Sequence, residues 1–151
     1  MAVTEGVESP KGVRIYRAAD AADPVEVGFH ASNDFRAQPE ALDAAIALGR
    51  AGGAVNKLLA RQSPDEGGFS VMYAWFKPHF PLFRHRHDVD CMYVVVSGSA
   101  RMGNQTLGPG DCFYVAAGTP YGYTAGPDGV EVIEIRHDAD SFTFVLAPNS
   151  P

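Results

Sequence analysis

Cysteine, positive charge and long apolar runs are all scarce in this sequence. Its 151 residues include only two cysteines, Cys91 and Cys112. Two thiols in a chain without a recognisable signal peptide favour free cysteines in a reducing compartment over a disulfide framework. The N-terminus has neither a basic start nor an apolar core, so we expect no signal peptide and a cytoplasmic location. No apolar run approaches the length of a membrane span, so no membrane partner is expected.

Acidic residues outnumber basic ones. The chain has 12 lysines and arginines against 18 aspartates and glutamates, and its net charge is -6. This charge repels nucleic acids, so we expect no nucleic acid partner. The sequence also lacks a P-loop, a G-x-G-x-x-G fingerprint and a G-x-S-x-G elbow, which excludes the classes of enzyme built on those motifs.

Glycine and proline, in contrast, are plentiful. The sequence has 16 glycines and 11 prolines, which separate many short apolar segments. Short strands divided by such turns are typical of a β-sandwich or barrel, so the predicted fold class is all-β. At this length we expect one domain. A flexible arm is predicted over residues 1–12, followed by a single domain over 13–148 whose barrel lies mainly in 55–147.

Several local elements follow from the spacing of apolar residues and glycines. Short N-terminal strands are predicted at Val13–Arg17 and at residues 25–29. One helix is predicted over 38–50, where apolar residues recur at helical spacing. A turn is predicted at Ser97–Ser99.

Two histidines stand one residue apart, just before the most apolar segment of the chain. Side chains alternate between faces in extended backbone, so His85 and His87 share a face. Two imidazoles on one face can converge on a metal ion when further ligands arrive from neighbouring strands. His85 and His87 are therefore the first candidate metal ligands.

The spacing around these histidines resembles the first motif of the cupins, a superfamily of small β-barrel proteins. That motif contains a leading glycine, a His-x-His pair, a glutamate and a closing glycine. His85, His87 and Gly98 match it. Cys91 stands at the glutamate position, and His79 stands at the position of the leading glycine.

A later stretch resembles the second cupin motif. Gly110 and Gly118 match its two glycines, whereas Ala116, Tyr121 and Ala125 stand at its proline, histidine and asparagine positions. The resemblance implies a double-stranded β-helix, or jelly-roll barrel, preceded here by one N-terminal helix and short N-terminal strands. Cupins often dimerise, so the resemblance also implies a homodimer.

The resemblance further implies a divalent transition metal, with iron, zinc, manganese or nickel as its identity, held by His85 and His87. Cys91 is the third candidate ligand because a thiolate binds zinc or iron well; the alternative is a small side chain that fills the core. Tyr121 is predicted as an acid/base group or substrate contact, with ligation through its phenol oxygen as the alternative. For Glu134, a solvent-facing position on an edge strand is predicted. The alternative is a buried carboxylate that replaces the motif glutamate.

An apolar pocket completes the prediction. Four aromatic residues are expected to line it: Tyr73, Trp75, Phe113 and Tyr123. Together with a metal, such a pocket supports oxygenase, isomerase or lyase activity. The alternative is a non-catalytic module that binds or senses a small molecule and has lost a full metal ligand set. The sequence alone leaves open whether the chain is an enzyme.

Overall fold

The computed structural model describes residues 7–9, 12–24, 26–27, 47, 49–62, 68–82, 84–87 and 89–137. Eight strands occur in these residues: β1 (Val7–Ser9), β2 (Val13–Ile15), β3 (Ala54–Arg61), β4 (Ser70–Phe76), β5 (Cys91–Met102), β6 (Gln105–Leu107), β7 (Cys112–Val115) and β8 (Thr124–Arg136). Two short helical turns accompany them, at Ala18–Asp20 and Gly49–Gly53. The predicted all-β class is confirmed.

The N-terminal predictions are only partly within the described residues. β1 and β2 pair as a separate antiparallel two-stranded sheet, so residues 7–9 of the predicted flexible arm form a strand. The helix predicted over 38–50 lies outside the described residues except for 47, 49 and 50. The strand predicted at residues 25–29 is described only at 26 and 27, which lie in a turn. No described helix combines the length and apolarity that crossing a bilayer requires.

The other six strands form one antiparallel sheet around the central pair β5 and β8. Its order is β3-β4-β8-β5-β6, and β7 pairs with the first half of β5. β5 and β8 pair twice: Cys91–Gly98 runs along Val130–Arg136, and Ala100–Arg101 pairs with Thr124–Ala125. The register shifts between these two regions, where the paired strands bend together.

The predicted turn at Ser97–Ser99 is wrong, because β5 continues through it, and β8 continues through Gly126–Gly129 in the same way. Glycine allows the strands to bend there instead of reversing. Gly98 has a positive φ of 68°, and a Cβ built on it would lie 2.1 Å from the carbonyl oxygen of Gly129. Only glycine permits both that dihedral angle and that close approach of two backbones. The closing glycine of the first motif thus marks a corner of the barrel.

The histidine segment, described at residues 80–82 and 84–87, lies beside the residues that lead into β8. Over the described residues between 80 and 87, its backbone runs antiparallel to the stretch that starts at Tyr121. The amide of His85 donates to the carbonyl of Tyr121 at 2.9 Å, and the amide of Tyr121 donates back at 2.8 Å. The amide of Ala125 also donates to the carbonyl of Phe80, at 2.9 Å. This pairing places the two motif segments next to each other.

Alternation along the strands sends one set of side chains inward. β4 shows the pattern clearly, because buried and half-buried residues alternate along its whole length. The inward residues form the main core: Ala74, Phe76, Phe80, Cys91, Tyr93, Val95, Ala100, Val115, Tyr121, Tyr123, Ala125, Val130 and Val132. Buried polar side chains join this apolar interior, at the place where β5 and β8 face the histidine segment.

Candidate metal centre

The inner faces of β5 and β8 bring four functional side chains together. Tyr93 pairs with Glu134 across the two strands, and Cys91 pairs with Arg136. The two pairs lie on the same face because they are two residues apart on each strand. All four residues are at most 5% exposed. Charged and phenolic groups are therefore enclosed in the barrel rather than placed at its surface.

His85 and His87 both point into the same interior. They are 4% and 1% exposed, and their ring centroids lie 4.9 Å apart in an edge-to-face arrangement. The ring of His85 also lies 4.4 Å from the ring of Tyr121. The structure thus brings together the two histidines and the tyrosine that the motifs select.

The Nε2 atom of His87 lies at the centre of a small hydrogen-bonded network. It is 3.1 Å from the phenol oxygen of Tyr121 and 3.1 Å from that of Tyr93. The two phenols are also in direct hydrogen-bond contact with each other. Tyr93 is not among the predicted site residues, although strand alternation from Cys91 places it on the same face.

The prediction of a solvent-facing Glu134 is wrong. Its strand, β8, lies between β4 and β5 rather than at an edge, and its side chain is buried. Oε1 of Glu134 is 3.7 Å from Nε2 of His87. The same oxygen accepts a hydrogen bond from Nε of Arg136, and Nη2 of the guanidinium is in ion-pair contact with it. Because side chains alternate along β8, Arg136 faces inward like Glu134. Arg136 is not among the predicted site residues.

Three of these side chains form a group with the composition of a metal site. One donor atom each from His87, Cys91 and Glu134 lies within 4.8 Å of the other two. Imidazole, thiolate and carboxylate are all ligands of zinc and iron. Ligand atoms around a tetrahedral zinc stand about 3.5 Å apart, for bonds of about 2.0–2.3 Å. The three donor atoms lie within 4.8 Å of one another, which is near this spacing, so the residue types and their placement fit a metal.

The thiol of Cys91 is protonated at neutral pH in this environment. Burial raises its pKa to about 12, and the nearby carboxylate of Glu134 contributes to the rise. Its Sγ lies 3.5 Å from the carbonyl oxygen of Val89. A metal must therefore displace a proton to bind the sulfur, since the thiolate is the ligand form.

The phenols are held in their protonated form as well. Burial raises the pKa of Tyr93 and of Tyr121 well above the usual value, and the carboxylate of Glu134 raises both further. Burial alone lowers the pKa of Arg136, but the charge of Glu134 and the other nearby groups more than offset it, so the net pKa is raised. The interior therefore holds two hydrogen-bond donors next to an ion pair.

Two of the four predicted pocket residues lie beside this site. Phe113 stacks on Tyr93 with a centroid distance of 4.6 Å, and its ring is 5.9 Å from that of Tyr123. The prediction is wrong for Tyr73 and Trp75, because both alternate with the inward residues of β4 and lie on its opposite face. There the hydroxyl of Tyr73 donates to Glu131 at 2.9 Å.

Comparisons with known proteins separate sequence likeness from structural likeness. No protein-family model matches the sequence, and no curated protein matches it significantly. KdgF from Halomonas sp. is 23% identical with a TM-score of 0.50, over 59% of this chain and 83% of that one. An RmlC-like cupin from Shewanella frigidimarina NCIMB 400 is 21% identical with a TM-score of 0.49, over 56% and 76%.

The third comparison covers a part of a longer protein. A variant of oxalate decarboxylase from Bacillus subtilis is 20% identical with a TM-score of 0.53, over 61% of this chain and 28% of that one. At these identities the likeness concerns the fold and not the activity. The cupin resemblance of the two motifs is confirmed at that level. The chain thus shares the β-barrel fold of these cupin structures.

Proposed function

We propose that this cupin binds one divalent metal ion in its barrel and uses the site to act on a small molecule. The observation that carries the proposal is the buried group of His87, Cys91 and Glu134, whose donor atoms lie within 4.8 Å of one another. His85 is the next donor, because its ring is adjacent to that of His87. A protein of similar fold, oxalate decarboxylase from Bacillus subtilis, has Mn(II) centres.

The donor set bears on which metal is bound. Among iron, zinc, manganese and nickel, the sulfur of Cys91 favours zinc or iron, because thiolates select these softer ions while manganese prefers oxygen ligands. The carboxylate of Glu134 stands across the strand pair from Tyr93 and supplies the anionic oxygen that the first motif lacks at Cys91.

The chemistry we propose is Lewis-acid activation of a bound substrate, as in an isomerase or lyase, with oxygenase activity as the alternative. When bound, the metal supplies a Lewis acid that polarises a substrate oxygen. The hydroxyls of Tyr93 and Tyr121 remain protonated and can donate to an oxygen of the substrate. Phe113 and Tyr123 provide an apolar wall that excludes water.

Metal content tests the proposal. Protein purified without an affinity tag and loaded with zinc or iron should retain about one equivalent after desalting. Cys91→Ser and Glu134→Gln should each lower this content strongly. The matched controls Cys112→Ser and Glu131→Gln change an exposed cysteine and an outward glutamate on the same strand, and should retain the metal. Retention far below one equivalent in the unmodified protein would refute the proposal.

A second function, metal-free binding or sensing of a small molecule, is supported by one observation. The guanidinium of Arg136 already neutralises Glu134 inside the barrel. A ligand that raises the melting temperature equally with and without a chelator, and is not converted, would favour this function over the first.

We also propose a homodimer in the cytoplasm. Exposed hydrophobic side chains on the outer face of β5 and β7, at Met92, Val96 and Tyr114, support association with a second copy. The free thiols of Cys91 and Cys112 support a reducing compartment. Sedimentation of the purified protein tests the dimer, because a monomer mass would exclude it.

A further inference from the structure

Arg136 and the proposed metal require the same atom. Oε1 of Glu134 is the carboxylate oxygen that lies 3.7 Å from Nε2 of His87. It is also the oxygen that the guanidinium contacts through Nε and Nη2. A divalent ion between His87 and Glu134 would therefore bind an oxygen that already holds the guanidinium.

Two cations held against that one oxygen would lie close to each other. Both side chains of the ion pair are buried, and like charges at short distance repel strongly where water is excluded. The guanidinium cannot be neutralised to relieve the repulsion, because arginine remains charged in proteins. Metal binding at this oxygen thus competes with the ion pair, because the repulsion favours release of one cation when the other binds.

Without metal, the same pair keeps the interior close to neutral. The carboxylate of Glu134 and the guanidinium of Arg136 are opposite charges in direct contact, and both side chains are buried. A buried carboxylate that lost its partner would carry a large desolvation penalty. Arg136 therefore makes the metal-free barrel a stable state.

We propose that Arg136 is an internal competitor for the metal, a specificity-determining residue that lowers the metal affinity of the site by occupying Oε1 of Glu134. The inference rests on the proposed metal site. In this arrangement the apparent dissociation constant equals the intrinsic one divided by the fraction of molecules in which Glu134 is released. Only ions that bind the full donor set strongly displace the guanidinium.

The test is the affinity for zinc alone, measured by competition with a chromophoric chelator. Arg136→Met removes the charge and keeps an unbranched side chain, and should bind zinc at least about tenfold more tightly, since the ion pair is closed in most molecules. Arg136→Lys keeps a cation that makes no planar two-donor contact. Its affinity for zinc should lie between that of the unmodified protein and that of Arg136→Met. The control Arg101→Met changes an exposed arginine on β5 and should leave the affinity unchanged.

The possible failures can be told apart. Zinc binding by the unmodified protein and by Arg136→Met with equal affinity would overturn the competition and leave the metal site standing. Absence of zinc binding in both would overturn the metal site and the competition together. If Arg136→Met does not fold, Arg136→Lys decides, because an affinity equal to that of the unmodified protein contradicts the inference.

Discussion

The protonated thiol of Cys91 makes the stability of the folded chain depend on pH in the alkaline range. The ordinary pKa of 9.0 for a cysteine rises to about 12 for Cys91, chiefly through burial and then through Glu134. Above pH 9.0 the unfolded chain has released this proton while the folded chain still holds it. The folded state then binds more protons, so the free energy of unfolding falls as pH rises.

The magnitude follows from the same shift. The stabilisation is fully present below the unfolded pKa of 9.0 and is lost as pH rises towards the folded pKa of about 12. One pKa unit corresponds to about 1.4 kcal/mol, so up to about 1.4 kcal/mol is lost by about pH 10. Cys91→Ala removes the titrating group. Between about pH 8 and about pH 10, its free energy of unfolding should therefore fall by about 1.4 kcal/mol less than that of the unmodified protein.

The assay is urea unfolding with a chelator present, followed through the fluorescence of Trp75. The unmodified protein, Cys91→Ala and Cys112→Ala are compared at about pH 8 and about pH 10. Tyrosines that begin to ionise near pH 10 affect all three proteins alike. The exposed Cys112 serves as the control, so its variant should lose as much stability as the unmodified protein. If Cys91→Ala lost as much stability as the unmodified protein, the raised pKa of the Cys91 thiol would be refuted.

Two further predictions concern glycine positions of the first cupin motif. Gly98→Ala forces a Cβ to within 2.1 Å of the Gly129 carbonyl oxygen, and should lower the free energy of unfolding by at least about 3 kcal/mol. The control Gly103→Ala, with φ of 59° but nothing within 4 Å, should lower it by only about 1 kcal/mol; equal losses would contradict the steric argument. His79 has a φ of 60°, so His79→Gly should raise that free energy by up to about 1 kcal/mol in urea unfolding. A decrease of about 1 kcal/mol in the free energy of unfolding would contradict backbone strain at His79.

The fold could be predicted because the motif positions correspond to backbone requirements. Gly98 stands where a corner needs a positive φ and a close approach. The leading glycine of the motif is replaced by His79, which still adopts a positive φ of 60°. The spacing of the motif residues in the sequence therefore predicts where the backbone takes a positive φ. The continuity of β5 through Ser97–Ser99 escaped prediction, because a glycine that bends a paired strand has the same sequence signature as a glycine that ends it.

The pocket was predicted only in part, because both faces of β4 are apolar. Tyr73 and Trp75 alternate with Met72, Ala74 and Phe76, so no change in polarity indicates which set faces inward. The pairing of β4 with β3 and β8 decides it, and that pairing is a long-range property.

The site depends on cross-strand register in the same way. Tyr93 faces Glu134 only because residues about forty positions apart pair across β5 and β8. The sequence contained both residues, and strand alternation gave their faces on each strand. Neither the residue types nor the strand alternation shows which residue of β5 pairs with which residue of β8. For this reason Arg136, which contacts the same carboxylate, could not be assigned to the site before the register was known.

X-ray absorption at the zinc edge tests the central claim most directly, because it reports the atoms bound to the metal. Zinc-loaded protein should show one sulfur at about 2.3 Å together with nitrogen and oxygen at about 2.0–2.2 Å. The sulfur should disappear in Cys91→Ser and remain in Cys112→Ser. A zinc ion bound with no sulfur, or with a sulfur that persists in Cys91→Ser, would contradict a metal centre built from His87, Cys91 and Glu134.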